Sequence, residues 1–279
     1  MSATTLISVT QLAAHLDDPR WIVFDCRHDL ADTEAGRRAY AQSHIRGARF
    51  AHLDDDLSGP KTGANGRHPL PDPGEFCARL AALGMRNDAQ AVAYDGAGGF
   101  YAARLWWMLR WLGHAEVAVL DGGWHAWIEA GLPVSTQTPA DAPAAFNGDV
   151  RDCTVGTHFI QNALGRPGIR LIDARSPDRF RGENETLDPV GGHIPGALNR
   201  FFKNNLAPDG CFKPAADLKR EFTMLLGAAA PADVVHQCGS GVTACHNLLA
   251  MEIAGLAGSR LYPGSWSEWC SDPQRPLER

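Results

Sequence analysis

Several short segments from the first half of this 279-residue chain return, in the same order, in the second half. An apolar run ending in Asp-x-Arg at 21–27 returns at 169–175, and the His-Ile-x-Gly-Ala segment at 44–48 returns at 193–197. A pair of tryptophans follows a glycine near the end of each half. Ordered self-similarity of this kind indicates a duplicated domain.

The stretch between the two copies has the composition of a linker. Residues 135–149 are rich in Pro, Ala, Thr and Asp and show no amphipathic period. We therefore predict an N-terminal domain over 1–134, a linker over 135–149 and a C-terminal domain over 150–279. Each half is long enough to bury a core of its own.

Within each half, short apolar runs alternate with helical patterns. Runs typical of strands lie at 20–26, 91–95, 117–120, 169–174 and 233–237, and helical patterns lie at 74–83, 100–112, 214–226 and 243–254. This alternation predicts an α/β fold in which each domain has a mostly parallel sheet flanked by helices. Active sites of such sheets lie in loops beyond the carboxyl ends of the strands.

Cys238 follows the last predicted strand of the second half and precedes a loop and a helix. The loop consists of Gly239, Ser240, Gly241, Val242 and Thr243. Its glycines allow successive backbone N–H groups to turn toward the sulfur, and the helix start adds partial positive charge. Such surroundings favour a thiolate, so we predict that Cys238 is the nucleophile. The matching position of the first half is Asp95, a carboxylate in place of the thiol, so that domain is predicted to be catalytically silent.

Composition excludes several other classes of protein. The seven cysteines are scattered, with no CxxC pair, so the sequence predicts no disulfide framework, no metal site and no cofactor. A net charge of -6 without a basic stripe argues against nucleic-acid or anionic-membrane partners. No apolar run is long enough to span a membrane, and the N-terminus does not resemble a signal peptide. We therefore expect a cytoplasmic protein.

The sequence resembles the tandem rhodanese-domain sulfurtransferases over essentially the whole chain. The resemblance is carried by the cysteine loop, the paired His-Ile-x-Gly-Ala segments, the Gly-x-Trp-x-x-Trp elements, Asp173-Ala174-Arg175, Arg179-Phe180-Arg181-Gly182 and Arg67-His68-Pro69-Leu70-Pro71. It implies a ping-pong transfer in which Cys238 takes a sulfane sulfur from a small donor as a persulfide. The persulfide then passes this sulfur to cyanide, a thiol or a thioredoxin-like acceptor.

The resemblance also implies which residues bind the donor. Loops reading Cys-Gly-Ser-Gly-Val-Thr are similar to those of 3-mercaptopyruvate enzymes, whereas basic residues after the cysteine accompany thiosulfate. An uncharged loop over 239–243 suits a donor whose charge sits on a remote carboxylate. Arg179 is the matching residue for that carboxylate, Ser240 and Thr243 for the leaving group or persulfide, and His68 for a polar contact with substrate.

One departure keeps the donor open. Mercaptopyruvate enzymes usually carry a second arginine shortly before the His-Ile-Pro-Gly segment, and residues 185–192 contain none. A thiosulfate:cyanide sulfurtransferase is therefore the alternative within the class. A non-catalytic sulfur-carrier or interaction module is the alternative from another class.

Other candidate chemistry is weaker. A cysteine phosphatase needs an arginine about six positions after the cysteine, and that position is Ala244. The Asp-x-Arg segments recur in the silent half, so we expect them to brace the fold. Cys245 is either a packed helical cysteine or a redox partner of Cys238.

Overall fold

The computed structural model describes residues 2–140, 144–166 and 168–279. Its strands are two to five residues long, and they form separate sheets. Its contacts divide the chain into two units. The first unit consists of Met1–Gly59, Pro71–Asp152 and Pro208–Phe212, and the second of Pro60–Leu70, Cys153–Ala207 and Lys213–Arg279.

This division differs from sequence order at two places. Residues 60–70 fall within the predicted N-terminal domain, yet the structure groups them with the second unit, and residues 208–212 fall within the predicted C-terminal domain, yet they are grouped with the first. Of the predicted linker, residues 141–143 lie outside the described residues. The predicted domain boundaries at 134 and 150 therefore stay predictions. The grouping of residues 60–70 with the second unit is a structural finding, and it matters for the site because Arg67 and His68 lie in this segment.

The first unit contains a five-stranded sheet in the order β1-β6-β5-β2-β4, in which every pairing is parallel. Its strands are β1 Leu6–Ile7, β2 Trp21–Asp25, β4 Arg49–Phe50, β5 Gln90–Tyr94 and β6 Val117–Leu120, and β3 His44–Ile45 pairs antiparallel with β7 Val134–Ser135. Its helices are α1 Val9–Ala13, α2 Ala35–Gln42, α3 Pro73–Ala82, α4 Ala102–Trp111 and α5 Gly123–Glu129.

The second unit repeats the plan with a four-stranded parallel sheet in the order β11-β10-β8-β9. Its strands are β8 Arg170–Asp173, β9 Leu198–Asn199, β10 Val234–Gln237 and β11 Arg260–Leu261. Its helices are α6 Thr157–Ala163, α7 Pro177–Phe180, α8 Ala215–Leu226, α9 Ala244–Ile253 and α10 Ser265–Trp269, with short 3-10 helices at Phe202–Asn205 and Pro231–Asp233. The predicted fold class is confirmed.

The repeated sequence features have repeated structural roles. Trp127 and Trp269 are each buried in the core of their own unit, together with the isoleucines of the two His-Ile segments. Burial of these large side chains supplies much of the hydrophobic stabilisation of a domain of this size. Among the described residues, no helix is both long and apolar enough to cross a membrane.

The Asp-x-Arg segments brace each unit in the same way. Arg27 binds Asp25 at 2.6 Å and donates to the carbonyl of Ser43 at 2.7 Å. Arg175 binds Asp173 at 2.7 Å and donates to the carbonyl of Gly192, also at 2.7 Å. Each arginine thus ties the end of a central strand to the residue before a His-Ile segment, which confirms the expected bracing role.

In the first unit, the loop that follows β5 binds the side chain of Asp95. Its carboxylate is buried and accepts backbone N–H groups from Ala97, Gly99, Tyr101 and Ala102 at 2.7–3.0 Å. Burial raises the pKa of this carboxyl, and the four hydrogen bonds oppose that rise. The loop after β5 is therefore a set of converging donors built around an anion.

Replacing Asp95 by alanine should lower the free energy of unfolding by about 2–4 kcal/mol, because buried N–H donors lose their acceptor. Chemical denaturation followed by circular dichroism measures this change. Asp88→Ala is the control, since the Asp88 side chain is 75% exposed and its loss should change little. An unchanged denaturation midpoint for Asp95→Ala would mean that the carboxylate does not hold the loop.

Candidate active site

Cys238 stands at the carboxyl end of β10, in the middle of the second sheet, and is 2% exposed. The neighbouring backbone is held from two directions. The N–H of Ala174 donates to the carbonyl of Gln237 at 2.9 Å, and the N–H of Trp266 donates to the carbonyl of Cys238 at 3.0 Å. The sulfur therefore projects from a backbone whose position is set by β8 and by the start of α10.

Ser265 completes this support at a conformational cost. Its φ of 54° is positive, and among the described non-glycine residues it is alone in this. Its hydroxyl accepts the N–H of Cys238 at 3.1 Å and donates to the carbonyl of Tyr262 at 2.9 Å. The matching residue of the first unit is Gly123, with a φ of 55°, so the second unit keeps a strained serine where a glycine would be relaxed.

The loop that follows Cys238 offers unpaired donors. The N–H groups of Gly239, Ser240, Val242 and Thr243 meet no acceptor within the described part of the chain, although the loop is buried. Gly241 has a φ of 78°, and a Cβ there would lie 2.4 Å from the carbonyl oxygen of Pro263. The loop is thus pressed close to the backbone before α10, and its donors remain available to an anionic ligand.

Two guanidinium groups converge beside Gly239. A Cβ built on that glycine would lie 2.8 Å from Nη2 of Arg67 and 3.5 Å from Nη2 of Arg179. Sequence reasoning expected Arg179 and found no second arginine in residues 185–192. The second guanidinium comes instead from residue 67, in the segment that the structure assigns to the second unit.

Two buried carboxylates from residues 185–192 bind these arginines. Glu185 accepts from Arg179 at 2.8 Å and lies 3.5 Å from Arg175. Asp188 accepts from Arg67, and its other oxygen lies 3.4 Å from Arg179. Burial alone would raise the pKa of Glu185, but the hydrogen bond from Arg179 and two backbone N–H groups hold it below its ordinary value. The sequence did not single out either carboxylate, because an acidic residue in a loop carries no local signal that it will be buried against an arginine.

His68 and Ser240 meet in the same unit. Nδ1 of His68 and Oγ of Ser240 are 2.7 Å apart, and the two side chains are 5% and 6% exposed. The structure therefore brings His68 and the loop serine together, whereas the sequence predicted each of them as a separate substrate contact. Thr243 lies at the start of α9, where it makes no side-chain capping bond.

Cys245 and His236 have structural partners. Cys245 lies in the first turn of α9, and its thiol donates to the carbonyl of Gly241 at 3.3 Å. His236 is fully buried against the sulfur of Met251 at 3.1 Å, and desolvation lowers its pKa to about 3. A neutral imidazole in this position packs β10 against α9.

A further group of imidazoles lies in the first unit. His28, His52 and Asp54 place nitrogen and oxygen atoms within 4.8 Å of one another. Nε2 of His52 donates to the carbonyl of Thr33 at 2.9 Å, while its Nδ1 accepts the backbone N–H of Asp54 at 3.2 Å. Both nitrogens of His52 therefore hold the surrounding loops.

Comparison with known proteins places these features in a family. Residues 8–130 and 158–272 each match the family described as Rhodanese-like domain. A probable 3-mercaptopyruvate sulfurtransferase from Pseudomonas aeruginosa is 48% identical, with 99% of each chain covered. A putative thiosulfate sulfurtransferase from Mycobacterium tuberculosis is 40% identical over 98% of this chain and 96% of that one.

Similarity to a solved structure agrees with this family membership. The fold is similar to that of 3-mercaptopyruvate sulfurtransferase from Leishmania major, with a TM-score of 0.84 and 31% sequence identity. That similarity covers 95% of this chain and 74% of the Leishmania chain. Relatives named for 3-mercaptopyruvate and a relative named for thiosulfate are thus comparably similar to this chain in sequence, at 48% and 31% identity for the former and 40% for the latter.

Ser265→Gly and Ser265→Ala separate the strain at this position from its hydrogen bond. Both changes remove the acceptor for the Cys238 N–H, but only glycine also relaxes the positive φ. We expect the glycine variant to be more stable than the alanine variant by about 1 kcal/mol and both to be less stable than wild type. Equilibrium denaturation measures the order, and an alanine variant at least as stable as the glycine variant would contradict it.

Proposed function

This chain belongs to the rhodanese-like domain family, and we propose that it moves a sulfane sulfur from 3-mercaptopyruvate to a thiol or cyanide through a persulfide on Cys238. Its relatives are named as sulfurtransferases, and the chain is a sulfurtransferase enzyme. The observation that carries the choice of donor is the pair of guanidinium groups, Arg67 and Arg179, beside an uncharged loop.

In the first half-reaction, the Cys238 thiolate attacks the sulfur of the donor. A sulfur–sulfur bond forms while the carbon–sulfur bond of mercaptopyruvate breaks, and its electron pair stays on carbon as the enolate of pyruvate. The thiol proton of the donor is transferred to that carbon, which leaves an anionic persulfide and pyruvate. The unpaired N–H groups of the loop are placed to stabilise the persulfide, as the loop donors of the first unit stabilise Asp95.

Arg67 and Arg179 would bind the carboxylate of the donor. A guanidinium fits a carboxylate through two parallel hydrogen bonds, which fixes orientation as well as charge. Gly239 leaves room for this contact, since a side chain there would fall among the guanidinium nitrogens. The loop 239–243 itself adds no charged side chain beside the transferred sulfur.

His68 and Ser240 would move the proton. Their 2.7 Å contact lets the hydroxyl and the imidazole act as a relay between the donor thiol and the enolate carbon. In the second half-reaction, an acceptor thiolate or cyanide attacks the outer sulfur and releases the Cys238 thiolate. No external oxidant or reductant enters either half-reaction.

The partners and location remain part of the proposal. We propose a small-molecule donor, a thiol, cyanide or thioredoxin-like acceptor, and a cytoplasmic location, with neither nucleic acid nor membrane as a partner. The seven free cysteines support a reducing compartment. The alternatives are a thiosulfate:cyanide sulfurtransferase and a non-catalytic sulfur carrier.

Measuring kcat/KM for 3-mercaptopyruvate and for thiosulfate with a common acceptor tests the donor. We expect wild type to prefer mercaptopyruvate. Cys238→Ser should abolish turnover of both donors, and it should also abolish the mass increase of one sulfur atom that a persulfide gives the protein. Asp95→Ala, assayed where it is folded, is the matched change in the silent unit and should keep most of the activity. A more than tenfold preference for thiosulfate would refute the donor assignment, and turnover by Cys238→Ser would refute the mechanism.

The relay of His68 and Ser240 has its own kinetic signature. His68→Asn and Ser240→Ala should each lower kcat for mercaptopyruvate on the order of a hundredfold, and the double variant should fall little further. When thiosulfate is the donor, sulfite is the leaving group and no proton is transferred to carbon. The same variants should therefore lose less activity with thiosulfate than with mercaptopyruvate. His158→Asn, an exposed histidine of α6, is the control. Equal losses with both donors would indicate that the pair only supports the loop.

A further inference from the structure

The guanidinium groups at the donor site belong to a cluster whose charges balance. Arg67, Arg175 and Arg179 are bound by Asp173, Glu185 and Asp188, so three positive charges meet three negative ones. The carboxylate side chains are 0%, 4% and 2% exposed. Buried charges of this kind are screened little by salt, so the balance acts directly on any anion that approaches Gly239.

Asp188 holds a special position in this cluster. It is the carboxylate that contacts both donor-site arginines, with one oxygen on Arg67 and the other 3.4 Å from Arg179. Glu185, in contrast, also serves Arg175, which braces the fold at the end of β8. The charge of Asp188 can therefore be changed with the least effect on the brace.

We propose that Asp188 sets the net charge of the donor site and thereby favours a donor with one negative charge over a dianion. This inference rests on the proposed function and goes further, because it assigns donor selection to a residue that does no chemistry. A single carboxylate can share the two guanidinium groups with Asp188. Because the cations of the cluster are already neutralised, a monoanion adds one uncompensated charge to the site, whereas a dianion adds two and loses more hydration.

The chemistry of the two candidate donors fits this distinction. Mercaptopyruvate carries one carboxylate, remote from the sulfur that is transferred. Thiosulfate carries two negative charges close to that sulfur. Removing the charge of Asp188 leaves the site with one excess positive charge, which attracts both donors but attracts the dianion more strongly.

The test is the ratio of kcat/KM for thiosulfate to kcat/KM for mercaptopyruvate in Asp188→Asn. Asparagine keeps the shape of the side chain and an oxygen that can accept from Arg67, and thermal melting checks that the variant is folded. We expect the ratio to rise about tenfold or more. Glu183→Gln is the control, because it removes the same charge from a residue whose side chain is 56% exposed and bound to Arg181.

A second pair of variants separates charge from shape at the same position. Asp188→Glu keeps the negative charge and should leave the ratio within about twofold of wild type, whereas Asp188→Ser removes the charge with a smaller side chain and should raise the ratio as Asp188→Asn does. Asp188→Ser decides the question where Asp188→Asn folds poorly. A ratio that neither neutral variant raises above that of Glu183→Gln, or that Asp188→Glu raises as much as they do, overturns the proposal.

Failure of this proposal can be told apart from failure of the proposed function. A wild-type chain that turns over neither donor would overturn both. A wild-type chain that prefers thiosulfate would overturn the donor assignment alone, because the change in the ratio still reports the effect of Asp188. An unshifted ratio in an active, mercaptopyruvate-preferring enzyme would overturn only the role of Asp188.

Discussion

The backbone on either side of Cys238 is held by the segment that begins α10, and the geometry of the site depends on this contact. Ser265 accepts the N–H of Cys238, while Trp266 and Ser267 donate to the carbonyls of Cys238 and Gly239. A buried peptide group that is paired on both sides has little freedom to move. Cys238 and the first residue of its loop are therefore placed by the start of α10, and the positive φ of Ser265 is the strain that accompanies this support.

The duplication provides a comparison that isolates the chemistry of the loop. In the first unit, loop N–H groups converge on the carboxylate of Asp95, which thus fills the place that a bound anion would occupy. In the second unit, a thiol replaces the carboxylate, and the N–H groups of Gly239, Ser240, Val242 and Thr243 meet no acceptor among the described residues. The same loop backbone is thus filled by its own side chain in the first unit and left open to a ligand in the second. Under the proposed function, a single side chain and its loop would separate the silent unit from the reactive one.

The charged cluster beside Gly239 pairs guanidinium groups with buried carboxylates. Under the proposed function, the guanidinium groups orient the carboxylate of the donor, whereas Glu185 and Asp188 offset their positive charge. Orientation and net charge would then be set by different residues. A cluster of this kind is costly to bury and depends on every partner being present, since an unpaired charge in such a place is strongly destabilising.

Much of this protein is determined by its sequence alone, because the relevant signals are local. Hydrophobic periodicity places the longer strands and helices, and the strand-loop-helix context singles out Cys238 and its counterpart Asp95. The two-residue strands β9 and β11 are too short to carry a period, so they were not predicted. The contact of His68 with Ser240, 172 positions apart, and the arrival of Arg67 beside Gly239 were decided only by the tertiary structure. Such contacts depend on where residues 60–70 are placed relative to β10, and no local pattern in the chain records that.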